Sequence, residues 1–116
     1  MVSMLAKANR MRRKADFMTT VRKGRRAHVG TLTGFLFTSK SETFPPTFGF
    51  QVSRRVGGSV ERHRVVRQLR HLVAPWVPKT PDSTMVVIRP NEKSKDFSHD
   101  LDLLMQQLTK SPGGLG

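Results

Sequence analysis

The stretch Phe48–Arg70 reads FGFQVSRRVGGSVERHRVVRQLR and contains the patterns that determine the predicted fold. Over Thr47–Ser53, apolar residues alternate with small or polar ones, which predicts a half-buried strand with its phenylalanines in the core. The glycine pair at 57–58 interrupts this strand, and a helical period follows from 60 to 73. A strand, a tight turn and a helix are therefore expected in direct succession.

The predicted helix over 60–73 has two chemically different sides. With about 100° of rotation per residue, one arc collects the apolar side chains Val65, Val66, Leu69, Leu72 and Val73. The opposite arc collects the polar and cationic side chains His63, Arg64, Arg67, Arg70 and His71. We therefore expect one side of this helix to pack on a core and the other to present a row of cations.

The remaining segments predict an α+β fold in one small domain. The further expected elements are a helix over Ala15–Lys23, strands over His28–Thr38 and Thr84–Arg89, and a last helix whose core-facing side holds Phe97, Leu101, Leu104, Met105 and Leu108. The polar connection 39–46 leaves room for an additional edge strand. The order α-β-β-β-α-β-α predicts a sheet of about four strands packed with helices, within a single domain of residues 14–110. Residues 1–13 are expected to form a basic flexible arm, and residues 111–116 a disordered tail.

The positive charge of the chain is concentrated in two segments. The 116 residues include 21 Lys+Arg and 8 Asp+Glu, a net charge of +13, of which the segments 7–26 and 54–70 carry +8 and +5. Thirteen of the cations are arginines, whose planar guanidinium suits bidentate contacts with phosphate. A solvated basic face is the alternative interpretation, but like charges at this density repel one another unless a polyanion binds. The composition therefore favours a nucleic-acid partner over an anionic membrane.

Other functional classes are excluded or disfavoured by the residues present. The chain has no cysteine, which excludes a disulfide scaffold, a thiolate metal site and a cysteine nucleophile. No run approaches the ~20 apolar residues of a membrane span and no secretory signal is evident, so a cytoplasmic location without membrane association is expected. His63 and His71 are eight residues apart, too far along a helix to share an ion, and Asp100 and Asp102 point to different helix faces. We therefore expect neither catalytic nor metal-binding residues in this chain.

The stretch 48–70 resembles the signature of the bacterial ribonuclease P protein component. In that family, a strand, turn and helix of the form VGxxVSKKVGNAVxRNRxKRxLR follow an N-terminal helix of the form DFxxVxxxG. The second form is present here as Asp16-Phe17 with Val21 and Gly24. The late strand and the closing helix also fall where the family has them, so the resemblance extends over nearly the whole chain.

Several positions depart from the family signature. The central RNR reads Arg62-His63-Arg64, the lysine that usually follows is Val66, and the asparagine before AV is Gly58. Two arginines stand where the family has two lysines, which keeps the charge. The histidine puts in doubt any metal ion that the family's asparagine would help to hold.

The resemblance implies the protein subunit of an RNA enzyme. In the family, the RNA subunit carries the active site, binds the Mg²⁺ ions and removes the single-stranded 5′ leader from precursor tRNA, and no obligate protein partner is expected. The residues that match family positions for contact with the RNA subunit are Arg54, Arg55, Arg62, His63, Arg64, Arg67 and Arg70. Those that match the leader-binding cleft are Phe17, Phe35 and Ser53, although both phenylalanines would also suit an ordinary core. Val21 replaces a second cleft aromatic of some relatives.

The resemblance also implies an unusual chain crossing. The strand that ends near Ser53 is expected to connect through the basic helix to Thr84–Arg89 in a left-handed sense, against a right-handed preference of about 98 % for parallel connections. The alternative function is that of a ribosomal or ribosome-associated RNA-binding protein of similar small, basic α+β build. Composition does not separate the two, and the stretch 48–70 favours the first.

Overall fold

Four strands form a mixed sheet with helices on both of its faces. In the computed structural model, which describes residues 5–110, the strands are β1 (Arg25–Val29), β2 (Leu32–Thr38), β3 (Thr47–Phe50) and β4 (Thr84–Pro90). The helices are α1 (Lys14–Lys23), α2 (Ser59–Val73) and α3 (Ser98–Thr109), with short 3₁₀ helices at Lys7–Asn9 and Ala74–Lys79. The strand order is β1-β2-β4-β3, and only the pair β3–β4 is parallel. The predicted fold class, element order and four-stranded sheet are confirmed.

The additional strand does not lie where the sequence pattern left room for it. The predicted single strand over His28–Thr38 is part of a hairpin of β1 and β2, and residues 39–46 form no strand. Gly30 makes the hairpin turn with a φ of +54°, a left-handed conformation that glycine adopts without steric cost. A side chain at this position would collide with the carboxylate of Asp100. A continuous run of β-forming residues therefore concealed a turn that depends on one glycine.

Helix α3 is attached to this hairpin at both of its ends. At its start, Asp100 Oδ2 accepts hydrogen bonds from the Thr31 backbone N–H at 2.9 Å and hydroxyl at 2.7 Å. These two bonds, the backbone one first, hold the pKa of Asp100 below its usual range. At its end, the Arg25 guanidinium donates to the carbonyls of Gln107, Leu108 and Lys110. Arg25 thereby satisfies carbonyls that the end of a helix leaves without partners, and its charge complements the helix dipole.

Each face of the sheet carries its own core. The face covered by α2 and α3 has the larger one, which includes Leu32, Phe48, Val65, Leu69, Val86, Ile88, Phe97, Leu101, Leu104 and Leu108. The other face, which we call the α1 face, is partly covered by α1. Its core consists of buried Met11, Phe35, Met85 and Val87, with half-buried Phe17, Val21, Phe37 and Phe44 around them. Paired residues of adjacent strands share a face, so the register sets Phe35, Val87 and Gly49 side by side on the α1 face.

The helices bury most of the residues that their periodicity selected, although Val66 and Leu72 of α2 are only half-buried. Val65, Leu69 and Val73 of α2 are buried, as is the whole apolar side predicted for α3. Strand β4 lies between two neighbours and is buried on both faces, as predicted. In α1 the spacing predicts Phe17, Met18 and Val21 on one apolar side, but Met18 is 49 % exposed and the other two are half-buried. The left-handed sense of the β3–α2–β4 connection stays a prediction.

The residues before α1 lie on the domain rather than free of it. Leu5 is buried in the larger core and Met11 in the core of the α1 face. Arg10 forms a parallel bridge with Phe48, and the Met11 N–H donates to the Phe48 carbonyl at 2.9 Å. Over residues 5–13, the predicted flexible arm is thus a segment held along the edge of β3, because its two apolar side chains reach the two cores. Residues 1–4 and the predicted tail 111–116 lie outside the described residues. No helix among the described residues is long and apolar enough to cross a membrane.

Candidate nucleic-acid interface

The outer side of α2 carries a row of cations that we call the basic stripe. Its members are Arg62, His63, Arg64, Arg67 and Arg70. Arg62 and Arg70 are half-buried, and the other three are exposed. Helix α2 presents them outward because its other side is anchored in the larger core. Arg64 Nη1 lies 3.8 Å from Glu61 Oε1, and both side chains are largely exposed. Such a surface pair contributes little free energy and is easily exchanged for a phosphate contact.

The turn between β3 and α2 extends the stripe towards the sheet. Ser53, Arg54 and Arg55 are exposed there. The Ser53 hydroxyl oxygen accepts from the Arg55 N–H at 3.3 Å, and the Arg54 carbonyl accepts from the Gly57 N–H at 3.1 Å. Arg62 Nη1 donates to the Gly57 carbonyl at 3.2 Å, which ties the first turns of α2 to this connection. The two arginines of the turn are therefore held beside the start of the stripe.

Phe17 lies directly on the α1 face of the sheet. Its ring covers Gly49 so closely that a Cβ at that position would be 2.5 Å from Phe17 Cε1 and 3.0 Å from Met11 Sδ. Only a glycine at position 49 lets the ring approach this part of β3. Phe17 is half-buried, so part of its ring remains accessible beside α1. Val21, one helical turn later, also packs against this core.

Phe35 is covered by an arginine that the sequence interpretation did not select. Phe35 is only 4 % exposed, and the guanidinium carbon of Arg89 lies 5.0 Å from the centre of its ring. Gln51 fixes this arginine, because its Oε1 accepts from Arg89 Nε at 3.2 Å and from Nη2 at 2.9 Å. In the free protein Phe35 is thus a core residue, and the flat surface above it is the guanidinium plane.

Polar groups continue the α1 face on both sides of Arg89. The Thr33 hydroxyl lies 3.0 Å from His28 Nδ1 and accepts from Asn91 Nδ2 at 3.0 Å. Arg26 is exposed and pairs with Phe35 across β1 and β2 on the same face. On the β3 side, a groove of about 460 Å³ is lined by Gln51, Val52, Ser53, Arg55, Arg89, Pro90 and Asn91. This groove joins the predicted Ser53 to Arg89.

The structure brings the predicted residues together in two places rather than one. Phe17 and Phe35 both lie on the α1 face, and Ser53 borders the same face through the groove beside Arg89. The stripe lies on the outer side of a helix that covers the opposite face. Gln51 and Arg89 were missed, although strand alternation had placed Gln51 away from the core phenylalanines. The alternation predicts the face of the strand on which Gln51 lies, but it does not predict that Gln51 binds Arg89, 38 residues away.

The described part of the chain does not offer the oxygen ligands that Mg²⁺ prefers. No group of three or more His, Cys, Asp or Glu side chains that could hold a metal ion lies among residues 5–110. The acceptor oxygen of Asp100 is already engaged by Thr31. His63, which replaces the family's asparagine, stands among arginines, an environment that disfavours a cation. The residues present therefore do not fit a Mg²⁺ ion held by the protein alone.

Comparison with known proteins identifies the family. A family model described as Ribonuclease P matches residues 5–111. A ribonuclease P protein component from Streptomyces bikiniensis is 41 % identical over 117 residues, which cover 90 % of this chain and 95 % of the relative. One from Thermobifida fusca is 39 % identical, covering 95 % of this chain and 82 % of the relative.

Solved structures share the fold at much lower sequence identity. The RNase P protein of Staphylococcus aureus superposes with a TM-score of 0.73 at 16 % identity, covering 90 % of this chain and all of that one. The RNase P protein of Thermotoga maritima gives a TM-score of 0.63 at 17 % identity, covering 86 % and 94 %. These likenesses establish the architecture, and the sequence matches establish descent. This chain belongs to the ribonuclease P protein family.

Proposed function

We propose that this chain binds the RNA subunit of ribonuclease P through the basic stripe and holds the single-stranded 5′ leader of precursor tRNA on the α1 face. Family membership supports the role of a ribonuclease P subunit. The division of labour between two surfaces is supported by their different chemistry. The stripe offers exposed cations, whereas the α1 face offers planar groups held in fixed positions.

The stripe suits a folded RNA. Arg64 and Arg67 are exposed, and each phosphate contact made by such a side chain releases condensed counterions. Their contacts would be to backbone phosphates and would carry little sequence information. With Arg54 and Arg55 at the adjoining turn, the stripe forms a continuous electropositive surface.

The α1 face suits an unpaired strand, and the observation that carries this assignment is the guanidinium of Arg89 stacked on Phe35. Unpaired bases stack on aromatic rings and on arginine planes with little dependence on sequence. Phe17 covers Gly49 of β3 and Gln51 holds Arg89 over Phe35, so the α1 face offers two stacking surfaces. The polar groove around Ser53 borders them. We assign Phe17, Phe35, Ser53, Gln51 and Arg89 to leader binding, with Phe35 acting as the support of Arg89.

In this proposal, the RNA subunit and its Mg²⁺ ions carry out the cleavage. No residue of this chain is assigned to the reacting atoms, and its contribution is to bind and position. We place the complex in the cytoplasm and expect no obligate protein partner.

The overall proposal is tested by cleavage of precursor tRNA with the cognate RNA subunit at low Mg²⁺, with and without this protein. We expect the protein to raise the cleavage rate and the affinity for precursor tRNA. Cleavage that is unchanged by saturating protein would contradict the proposal.

The leader site is tested by comparing Arg89→Ala with Arg89→Lys, which keeps the charge and removes the plane. Loss of a stacking contact is worth roughly 1–3 kcal/mol per base. We expect Arg89→Ala to weaken binding of precursor tRNA by about that amount, and Arg89→Lys to recover only a small part of it. Mature tRNA, which lacks the leader, serves as the control and should bind as it does to the wild type. Equal weakening of precursor and mature tRNA would rule out a leader contact.

A further inference from the structure

A groove that neither surface of the proposed function uses lies at the other end of the α1 face. Phe37, Met85 and Thr47 are paired across β2, β4 and β3, and Met85 precedes Arg89 on β4 by four residues. These three residues form the floor of a groove of about 780 Å³, which we call the second groove. Its walls come from α1 and from the connection 39–46. The second groove is thus built from the same sheet face as the leader site but from different residues.

The connection that forms one wall is held in place by the residue before β4. Ser83 has a φ of +66°, a left-handed conformation that is uncommon for a residue with a side chain. Its N–H donates to the Phe44 carbonyl at 2.6 Å, and its hydroxyl donates to the Glu42 carbonyl at 2.8 Å. Its own carbonyl accepts from the Ser39 N–H at 2.8 Å. Backbone strain of this kind persists only where the surrounding structure enforces it, and it collects at binding sites. The wall is therefore shaped before any ligand arrives.

The second groove combines flat apolar rings with walls that carry no net charge. Phe37 and Phe44 are both half-buried beside buried Met85, so part of each ring faces the groove. Four charged residues line it and their charges cancel, Arg13 and Lys40 against Asp16 and Glu42. In a chain with a net charge of +13, this balance does not select for phosphate. Unpaired nucleobases are flat and uncharged, and they stack on aromatic rings. The composition of the groove therefore fits a base better than it fits the phosphate backbone.

Asp16 gives the second groove a means to distinguish among bases. It is half-buried in the first turn of α1, and among residues 5–110 its carboxylate forms no ion pair or hydrogen bond. An ionised carboxylate accepts hydrogen bonds and donates none. Guanine carries adjacent N–H donors at N1 and N2, which match the two oxygens of one carboxylate, and no other RNA base presents such a pair. Asp16 is therefore suited to the edge of a guanine.

We infer that the second groove binds one unpaired guanine base of RNA, stacked against Phe37 and Phe44 and recognised by the carboxylate of Asp16. Arg13 and Lys40 are exposed, so they are available to the phosphates on either side of that base. The RNA subunit and precursor tRNA are the two sources of such a base, and the chemistry of recognition is the same for both. The inference goes beyond the proposed function, because it concerns a groove that is assigned to neither the basic stripe nor the leader site.

The first test titrates the free wild-type protein with nucleosides, which carry no phosphate, and follows the backbone amides by NMR. Guanosine should shift the signals of residues 39–44 and of the start of α1, and it should bind roughly tenfold more tightly than adenosine. Inosine lacks the N2 amino group, so it should bind more weakly than guanosine. Equal binding of guanosine and inosine, or shifts confined to other parts of the protein, would overturn the inference.

Three variants test the residues that carry the inference. Asp16→Asn should abolish the preference for guanosine, because an amide presents one acceptor and one donor group. Phe44→Leu keeps an apolar side chain without a flat face, so it should weaken all of the nucleosides alike. Asp102→Asn is the matched control, because it removes a carboxylate from the exposed side of α3 and should bind guanosine as the wild type does. An undiminished preference for guanosine in Asp16→Asn would overturn the inference.

The source of the base is identified with kethoxal, which modifies unpaired guanines at N1 and N2. In complexes with the RNA subunit and with precursor tRNA, one guanine should be protected by the wild type and by Asp102→Asn but modified with Asp16→Asn. The RNA that contains this guanine is the source. If both complexes form and no guanine differs between the wild type and Asp16→Asn, the inference is wrong. Failure of the wild type to bind either RNA would instead contradict the proposed function, and the nucleoside titration would still decide the inference.

Discussion

On α2, the cations of the basic stripe stand outward with few partners, whereas on the α1 face Arg89 is held by Gln51 and stacked on Phe35. The first arrangement leaves exposed side chains free to adjust to a polyanion, which the proposed function supplies as RNA. The second fixes planar groups before any ligand arrives, which reduces the ordering that binding would otherwise require. In the proposed function, arginine therefore provides affinity in one region and shape in the other. Substitutions that affect stability and binding differently in the two regions test this contrast.

The largest expected effect is on the α1 face, where alanine substitutions of Phe35 and Phe17 should differ in their effects on stability and binding. Phe35 is 4 % exposed, so Phe35→Ala should lower the free energy of unfolding by roughly 3–5 kcal/mol. Phe17 is only half-buried, so Phe17→Ala should lower the free energy of unfolding by less. It should also weaken the binding of precursor tRNA by roughly 1–3 kcal/mol. Urea unfolding and binding of precursor against mature tRNA measure both. If Phe35→Ala unfolds like the wild type, the ring is not the support that we describe.

Replacing Gly49, which lies under the Phe17 ring, should disturb the same region. Gly49→Ala would place a Cβ 2.5 Å from the Phe17 ring, so we expect roughly 1–3 kcal/mol of destabilisation and weaker binding of precursor tRNA. Gly58→Ala is the matched control, because a Cβ there meets nothing within 4 Å. It should cost about 1 kcal/mol or less, because alanine is a poorer helix N-cap than glycine. Equal effects at the two glycines would show that Phe17 does not depend on the close approach.

The basic stripe should respond in the opposite way. Arg64→Ala and Arg67→Ala are expected to leave the Tm almost unchanged, because both side chains are exposed. Each should flatten the salt slope of RNA-subunit binding by about one unit and leave the ratio of precursor to mature tRNA binding unchanged. An unaltered salt slope in both variants would mean that the stripe is a solvated basic surface and not an RNA contact.

The smallest effect should come from Asp100, which belongs to neither surface. Hydrogen bonds from Thr31 lower its folded pKa, so its contribution is present above the ordinary carboxyl pKa and is lost as pH falls through the folded value. Asp100→Asn should therefore cost less than about 1 kcal/mol at pH 7, and the difference from the wild type should vanish at acidic pH. Thermal melts from pH 7 downward measure it. A difference that grows as pH falls would contradict this account.

Local periodicity predicted what depends on neighbours in sequence. The buried side of α2 and the outward arginines follow from spacing, and the continuous apolar run of β4 predicted its burial on both faces. Contacts between distant segments were beyond that signal. The bond between Gln51 and Arg89 joins residues 38 apart in sequence, and it holds the guanidinium that lies over Phe35. The bridge between Arg10 and Phe48 likewise makes an ordered segment of one that composition describes as a basic arm.

That bridge has a consequence for solubility. Strand β3 lies at an edge of the sheet, and an uncovered edge offers unpaired backbone groups to strands of other molecules. The segment before α1 occupies this edge, through the bridge at Arg10 and the hydrogen bond from Met11 to Phe48. The chain thus shields its own aggregation-prone border with a positively charged cover, and removal of that segment would expose β3 to pairing with another copy.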